Sequence, residues 1–149
     1  MSFGSWSEIR KGSWLSIKGI PSNGYLIGIG DYERIASHTS IYTHGGIWPI
    51  RKYYNDPNIE QFGKVNIGSY TSIGAYVMLM PDVTIGERCI VAGGAVVTKS
   101  VPDGCMVAGN PARFIGYTED FYKKLKEKHD FGCKKITHED KKLLACTSR

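Results

Sequence analysis

The sequence predicts an all-β chain wound as a parallel β-helix, and three observations support this. Ile67, Ile73, Leu79, Ile85, Val91 and Val97 set an aliphatic residue at every sixth position without a break, and a fixed short period marks a solenoid. The fifth residue of each hexad (Thr71, Val77, Val83, Cys89, Ala95) is small or β-branched, which fits a short strand plus a corner and not a 3.6-residue helical period. Glycine follows the aliphatic position at Gly68, Gly74 and Gly86, so the glycines fall at the corners of a coil and do not mark a disordered chain.

The length of 149 residues allows one domain with an appendage. We read 1–117 as the coil and 118–149 as a C-terminal helix with a basic tail. No apolar run approaches the ~18 residues of a membrane span, and the first residues do not read as a signal peptide. Cys89, Cys105, Cys133 and Cys146 show no Cys-x-x-Cys spacing. Cys89 falls on an inward position, where it acts as a small apolar residue, and this usage suits a reducing, cytoplasmic compartment. The net charge is +5, with ten Lys/Arg against eight Asp/Glu in 1–118 and nine against six in 119–149. That bias suits a phosphate-bearing ligand. It is too weak, and too poorly interleaved with aromatics, for nucleic acid.

Residues 1–16 show no clear period, and Trp6 and Trp14 suggest a cover over the open end of the coil. Ile17 stands in phase with Ile29, although Asn23 interrupts the series; from Ile29 through Ile35 to Ile41 the repeat is sound. Ile41 to Ile67 spans 26 residues, which is not a multiple of six, so an excursion leaves the coil at about 45–64. It holds Trp48, Tyr53, Tyr54 and Phe62, a composition that predicts an ordered, substrate-facing loop. The repeat winds down after Val97 into a last extended segment from Cys105. Thr118 reads as a helix N-cap, with Glu119 and Asp120 in the first turn and lysines after them. Phe121 and Leu125, four apart, would pack this short helix onto the coil. His129, Cys133 and His138 lack paired-ligand spacing, and no metal site is expected.

The hexads, the excursion after Tyr42-Thr43-His44, the run from Val91 to Lys99 and the Gly109-Asn110-Pro111-Ala112-Arg113 ending resemble the hexapeptide-repeat acyltransferases. The resemblance covers about residues 25–117 and is nearest to the maltose, galactoside and surface-polysaccharide O-acetyltransferases. It implies a left-handed coil, a homotrimer and acetyl-CoA bound between subunits. It also implies a catalytic role for His44 and phosphate contacts from Lys99 and Arg113, with Thr98 beside them. Unlike the sugar O-acetyltransferases, this sequence shows no helical segment before the coil, and residues 1–24 offer no match to their acceptor-binding residues.

Chemistry supports the same residues. In a three-sided coil, residues 18 apart stack on neighbouring turns about 4.8 Å apart, so Ala75 and Gly93 form a smooth line where backbone groups can meet a pantetheine arm. Acyl transfer to a hydroxyl needs a base, and histidine titrates near working pH. His44, beside the aromatic excursion, is the candidate; His38, six residues earlier, is a secondary site residue. Asp56 or Glu60 is the candidate partner for the imidazole, and Trp48 and Tyr53 are candidate acceptor contacts. The expected reaction moves acetyl from acetyl-CoA to a hydroxyl of a sugar or surface-polysaccharide precursor. N-acetylation of an amino sugar is the alternative, and a non-catalytic binding scaffold is the reading from another class. A γ-class carbonic anhydrase would need a third histidine in repeat phase, and the coil offers only His38 and His44.

Overall fold

The computed structural model describes residues 26–130 and, before them, the backbone of three short strands. Contacts divide the chain into two units, Met1–Thr118 and Glu119–Arg149.

The first unit is a three-faced parallel coil. One face stacks β1 (Ser2–Phe3), β4 (Ile27–Ile29), β7 (Val65–Ile67) and β10 (Thr84–Ile85). The second stacks β2 (Glu8–Ile9), β5 (Arg34–Ile35), β8 (Ser72–Ile73), β11 (Ile90–Val91), β13 (Cys105–Ala108) and β14 (Arg113–Tyr117). The third stacks β3 (Trp14–Ser16), β6 (Ser40–Tyr42), β9 (Met78–Leu79) and β12 (Val96–Val97). The chain visits the faces in rotation, and every pairing is parallel except β13 with β14.

The hexad phase accounts for the core. Ile35, Ile41, Ile73, Leu79 and Ile85 are fully buried, as are the fifth-position Val77, Cys89 and Ala95. Second-position glycine is required by close approach: a Cβ on Gly74 would lie 2.4 Å from the Gly93 nitrogen on the next turn. The tight corner falls instead on the fourth position, where Tyr32, His38, Tyr70, Tyr76, Asp82 and Arg88 all have φ between 54° and 65°. Non-glycine residues there cost on the order of 1 kcal/mol each. Stacking offsets part of that cost: Tyr32 lies on Tyr70 at 5.1 Å and His38 on Tyr76 at 4.8 Å.

Three expectations are corrected. The start of the chain is a turn of the coil, because Phe3, Ile9 and Leu15 pair in register with Ile29, Ile35 and Ile41. Each pair is 26 residues apart, eight more than a regular turn, and those eight extra residues hid the phase. Trp14 opens β3, while Trp6, Ile17 and Asn23 lie outside the described residues. The segment after Cys105 is an antiparallel hairpin, since β14 folds back on β13. Thr118 does not cap its helix: its hydroxyl donates to the Gly104 carbonyl at 3.1 Å and its amide to the same oxygen at 2.9 Å.

In the helix α2 (Thr118–Asp130) Phe121 is 41% and Leu125 48% exposed. Glu119 pairs with Lys123 at 2.8 Å along its surface. Cys133 and His138 lie outside the described residues, and no described helix is long and apolar enough to cross a membrane.

Candidate functional site

Ile29 pairs with Ile67 although 38 residues separate them, one regular turn and twenty more. The excursion at 45–64 supplies those twenty. Where the chain leaves and re-enters the coil, its two limbs form a narrow antiparallel neck. The Gly45 amide donates to the Gln61 carbonyl at 3.0 Å, and the Gly63 amide to the Thr43 carbonyl at 2.9 Å. His44 lies between these bonds, paired across the neck with Phe62. Its half-buried imidazole faces the Phe62 ring at 6.5 Å, tilted by 44°. Gly63 is fixed by space, since a Cβ there would strike the Asp82 backbone. His44 is therefore held on the coil at the point where the excursion begins.

Ala75 and Gly93 stack as the 18-residue spacing predicts: the Gly94 amide donates to the Ala75 carbonyl at 2.8 Å. The β11–β13 pairs end at Val91 with Val107, two residues short of a regular turn. Beyond them the Gly109 carbonyl accepts from the Val96 amide at 3.0 Å, and the hairpin returns from there to Arg113. Thr98, Lys99 and Arg113 are exposed. Lys99 follows β12 on the edge between the third and first faces.

The chain thus divides the sequence-predicted residues between two edges. Ala75, Gly93 and the exposed His38 stand between the second and third faces, while His44 and Lys99 stand between the third and first. His38 is stacked face to face on Tyr76, beside the small-residue line.

The excursion contains one helix, α1 (Trp48–Tyr53), with proline in its first turn and no buried side chain. Trp48 is 70% and Tyr53 80% exposed, and Tyr53 packs edge-on against Tyr54. Neither candidate partner is turned to His44. Glu60 accepts from Arg51 Nη1 at 2.6 Å, and Asp56 accepts from the Asn58 amide at 3.2 Å. Arg51 also donates from Nη2 to the Pro57 carbonyl, which ties α1 to the returning limb. Arg51 and Phe62 carry no hexad signal, so sequence reasoning did not single them out as site residues. Two clefts flank α1. One of about 380 Å³ is lined by Trp48, Arg51, Lys52, Asn55, Asp56 and Pro57. The other, of about 300 Å³, is lined by Ile47, Ile50, Arg51, Tyr54, Asp56 and Ile59, and so shares Arg51 and Asp56 with the first. Among the described residues no group of three His, Cys, Asp or Glu is placed to hold a metal.

One further titratable group lies in the coil. Glu33 is 3% exposed and neither carboxylate oxygen makes a hydrogen bond. Burial pushes its pKa from 4.5 to about 7, the Asp31 charge adds to that, and the nearby Thr71 backbone offsets part of it without a well-formed bond.

The bacterial transferase hexapeptide (six repeats) family matches residues 64–99. Protein CapG of Staphylococcus aureus is 41% identical over 123 residues, 82% of this chain and 70% of CapG. A solved maltose O-acetyltransferase from Clostridium difficile 630 is 36% identical with a TM-score of 0.55, covering 61% of this chain and 48% of that one. A hexapeptide-repeat acetyltransferase from Vibrio cholerae, solved with acetyl coenzyme A, is 29% identical with a TM-score of 0.64, covering 78% of this chain and 59% of that one. The chain therefore spans about half of the length of these solved neighbours. On the strength of the repeat and of the CapG match, the chain belongs to the bacterial hexapeptide-repeat transferases.

Proposed function

We propose that the protein is an acetyl-CoA-dependent O-acetyltransferase acting on a sugar or surface-polysaccharide precursor. One observation carries the reading: small residues, Ala75 and Gly93, stack on a coil that also clamps a histidine at the neck of an aromatic excursion. The line leaves room for a pantetheine arm. Lys99 and Arg113 supply charge for the adenosine phosphates. The Vibrio neighbour binds acetyl coenzyme A, and the Clostridium neighbour acetylates maltose.

His44 takes the proton from the acceptor hydroxyl as its oxygen attacks the thioester carbonyl. The tetrahedral intermediate collapses, the carbon–sulfur bond breaks, and the imidazolium returns its proton to the departing CoA thiolate. No covalent enzyme intermediate is involved. The line and His44 occupy different edges of one protomer, which favours a site assembled between copies. We infer a left-handed coil and a homotrimer in which one copy's small-residue edge meets the His44 edge of the next. A reaction that draws on acetyl-CoA fits a cytoplasmic enzyme.

Thermal unfolding with CoA and acetyl-CoA tests the donor. Ligand at ~100 times its Kd adds about 2.7 kcal/mol to stability, and the shift is lost in a Lys99→Ala/Arg113→Ala variant. No shift at any concentration overturns the donor assignment and favours a binding scaffold.

A further inference from the structure

The catalytic reading accounts for His44 and the small-residue line but not for the larger part of the excursion. Its 380 Å³ cleft falls in the size range of small-molecule sites, and its walls are built. Arg51 is held at once by Glu60 and by the Pro57 carbonyl. The Asp56 amide donates to the Arg51 carbonyl at 3.0 Å, and the Asp56 carboxylate holds the Asn58 amide. Asn55 takes the left-handed conformation, φ 52°, that turns the chain out of α1.

The cleft's chemistry is specific. Trp48 presents an exposed indole face, an apolar surface for the C–H groups of a pyranose ring. Asp56, Asn55 and Lys52 set hydrogen-bond acceptors and donors around it, as a ring of hydroxyls requires. The charge is balanced, because Glu60 neutralises Arg51 and Asp56 offsets Lys52, so the cleft suits an uncharged ring and not a phosphate. The second cleft shares Arg51 and Asp56 but has Ile47, Ile50, Tyr54 and Ile59 in place of Trp48, Lys52, Asn55 and Pro57, which makes it the more apolar of the two.

Position decides what such a ring is for. His44 does not line the cleft, so a ring held there is not the one that reacts. Trp48 is four residues from His44 along the chain, a separation of at most ~14 Å between their Cα atoms. A short saccharide bridges that gap. Resting on the acceptor reading above, we propose that the cleft beside α1 is a distal subsite for a neutral pyranose, and that the acceptor is a saccharide of at least two residues.

The test measures acetyl transfer from acetyl-CoA to methyl glycosides and to the di- and trisaccharides of the same sugars. The wild type, Trp48→Ala and Asp56→Asn are compared. We expect KM to fall about tenfold from one ring to two in the wild type, the scale of one aromatic platform with its hydrogen bonds. Both variants flatten that dependence on length. Their CoA-induced thermal shift is retained, which shows that the coil is folded. Equal KM for one ring and two, or a length preference that survives in both variants, overturns the subsite while leaving the transferase reading intact. Transfer to no sugar at all overturns the acceptor reading and the subsite with it.

Discussion

The coil turns at 65–97 and the excursion at 45–64 are both rich in large apolar side chains, and they treat them oppositely. In the coil Ile73, Val77, Leu79 and Ile85 have no exposed surface. In the excursion Ile50, Tyr53, Tyr54 and Ile59 are all more than half exposed. Phase makes the difference: a side chain at the first or fifth position of a hexad points into the coil, and the excursion has no such phase. Its order comes from the neck around His44 and from Arg51. Stability therefore resides in the coil, and the proposed recognition in a segment that the coil only carries.

The sharpest way to break that contrast pairs one substitution from each side. Leu79→Ala empties a fully buried position and should cost 2–5 kcal/mol in denaturant unfolding, roughly the cost of a core cavity. His44→Ala should lower kcat by about 10²- to 10⁴-fold, the range for a lost general base, while unfolding shifts by under about 0.5 kcal/mol. CoA binding should survive it. Turnover intact in His44→Ala would remove the histidine from its assigned role.

Glu33 sharpens the contrast from inside the coil. Its folded pKa, about 7, stands above the ordinary 4.5, so the native state binds a proton that the unfolded chain releases between those values. The favourable difference is full below pH 4.5 and is lost as pH rises through 7. The loss amounts to about 3 kcal/mol at mildly alkaline pH. Unfolding free energies from pH 5 to 8 should fall in the wild type and fall less steeply in Glu33→Gln. Parallel profiles for the two proteins would mean that Glu33 is solvated or paired in solution.

The coil was legible because each hexad repeats one physical instruction, and its failures were phase failures. Phe3, Ile9 and Leu15 keep a spacing of six, yet eight extra residues before Ile29 moved them out of step. His44, Ala75 and Gly93 could be placed because they are tied to hexad positions. Arg51 and Phe62 could not, because their roles depend on how two limbs of an aperiodic loop meet. No period records that Phe62 returns opposite His44 or that Arg51 reaches Glu60 and Pro57. Glu33 sits where the repeat demands an apolar residue, and that departure was visible without its consequence.

Arg51 gives the smallest effect on stability and the closest test of what orders the excursion. Its bond to Glu60 is short, but the side chains are 24% and 43% exposed, so the pair contributes at most about 1 kcal/mol to global stability. Locally it matters more, since Arg51 is the side chain that joins α1 to both Pro57 and Glu60. Arg51→Ala should leave the unfolding midpoint nearly unchanged while amide exchange accelerates at Tyr54 and Asp56, whose amides bond to Ile50 and Arg51. Arg51→Lys keeps the charge but cannot fork to two partners, so its exchange rates should fall between those of the wild type and the alanine variant. If exchange stays at wild-type rates in both variants, the neck alone orders the excursion. If instead the unfolding free energy falls by several kcal/mol, the excursion is part of the coil's cooperative unit and the division between the two regions fails.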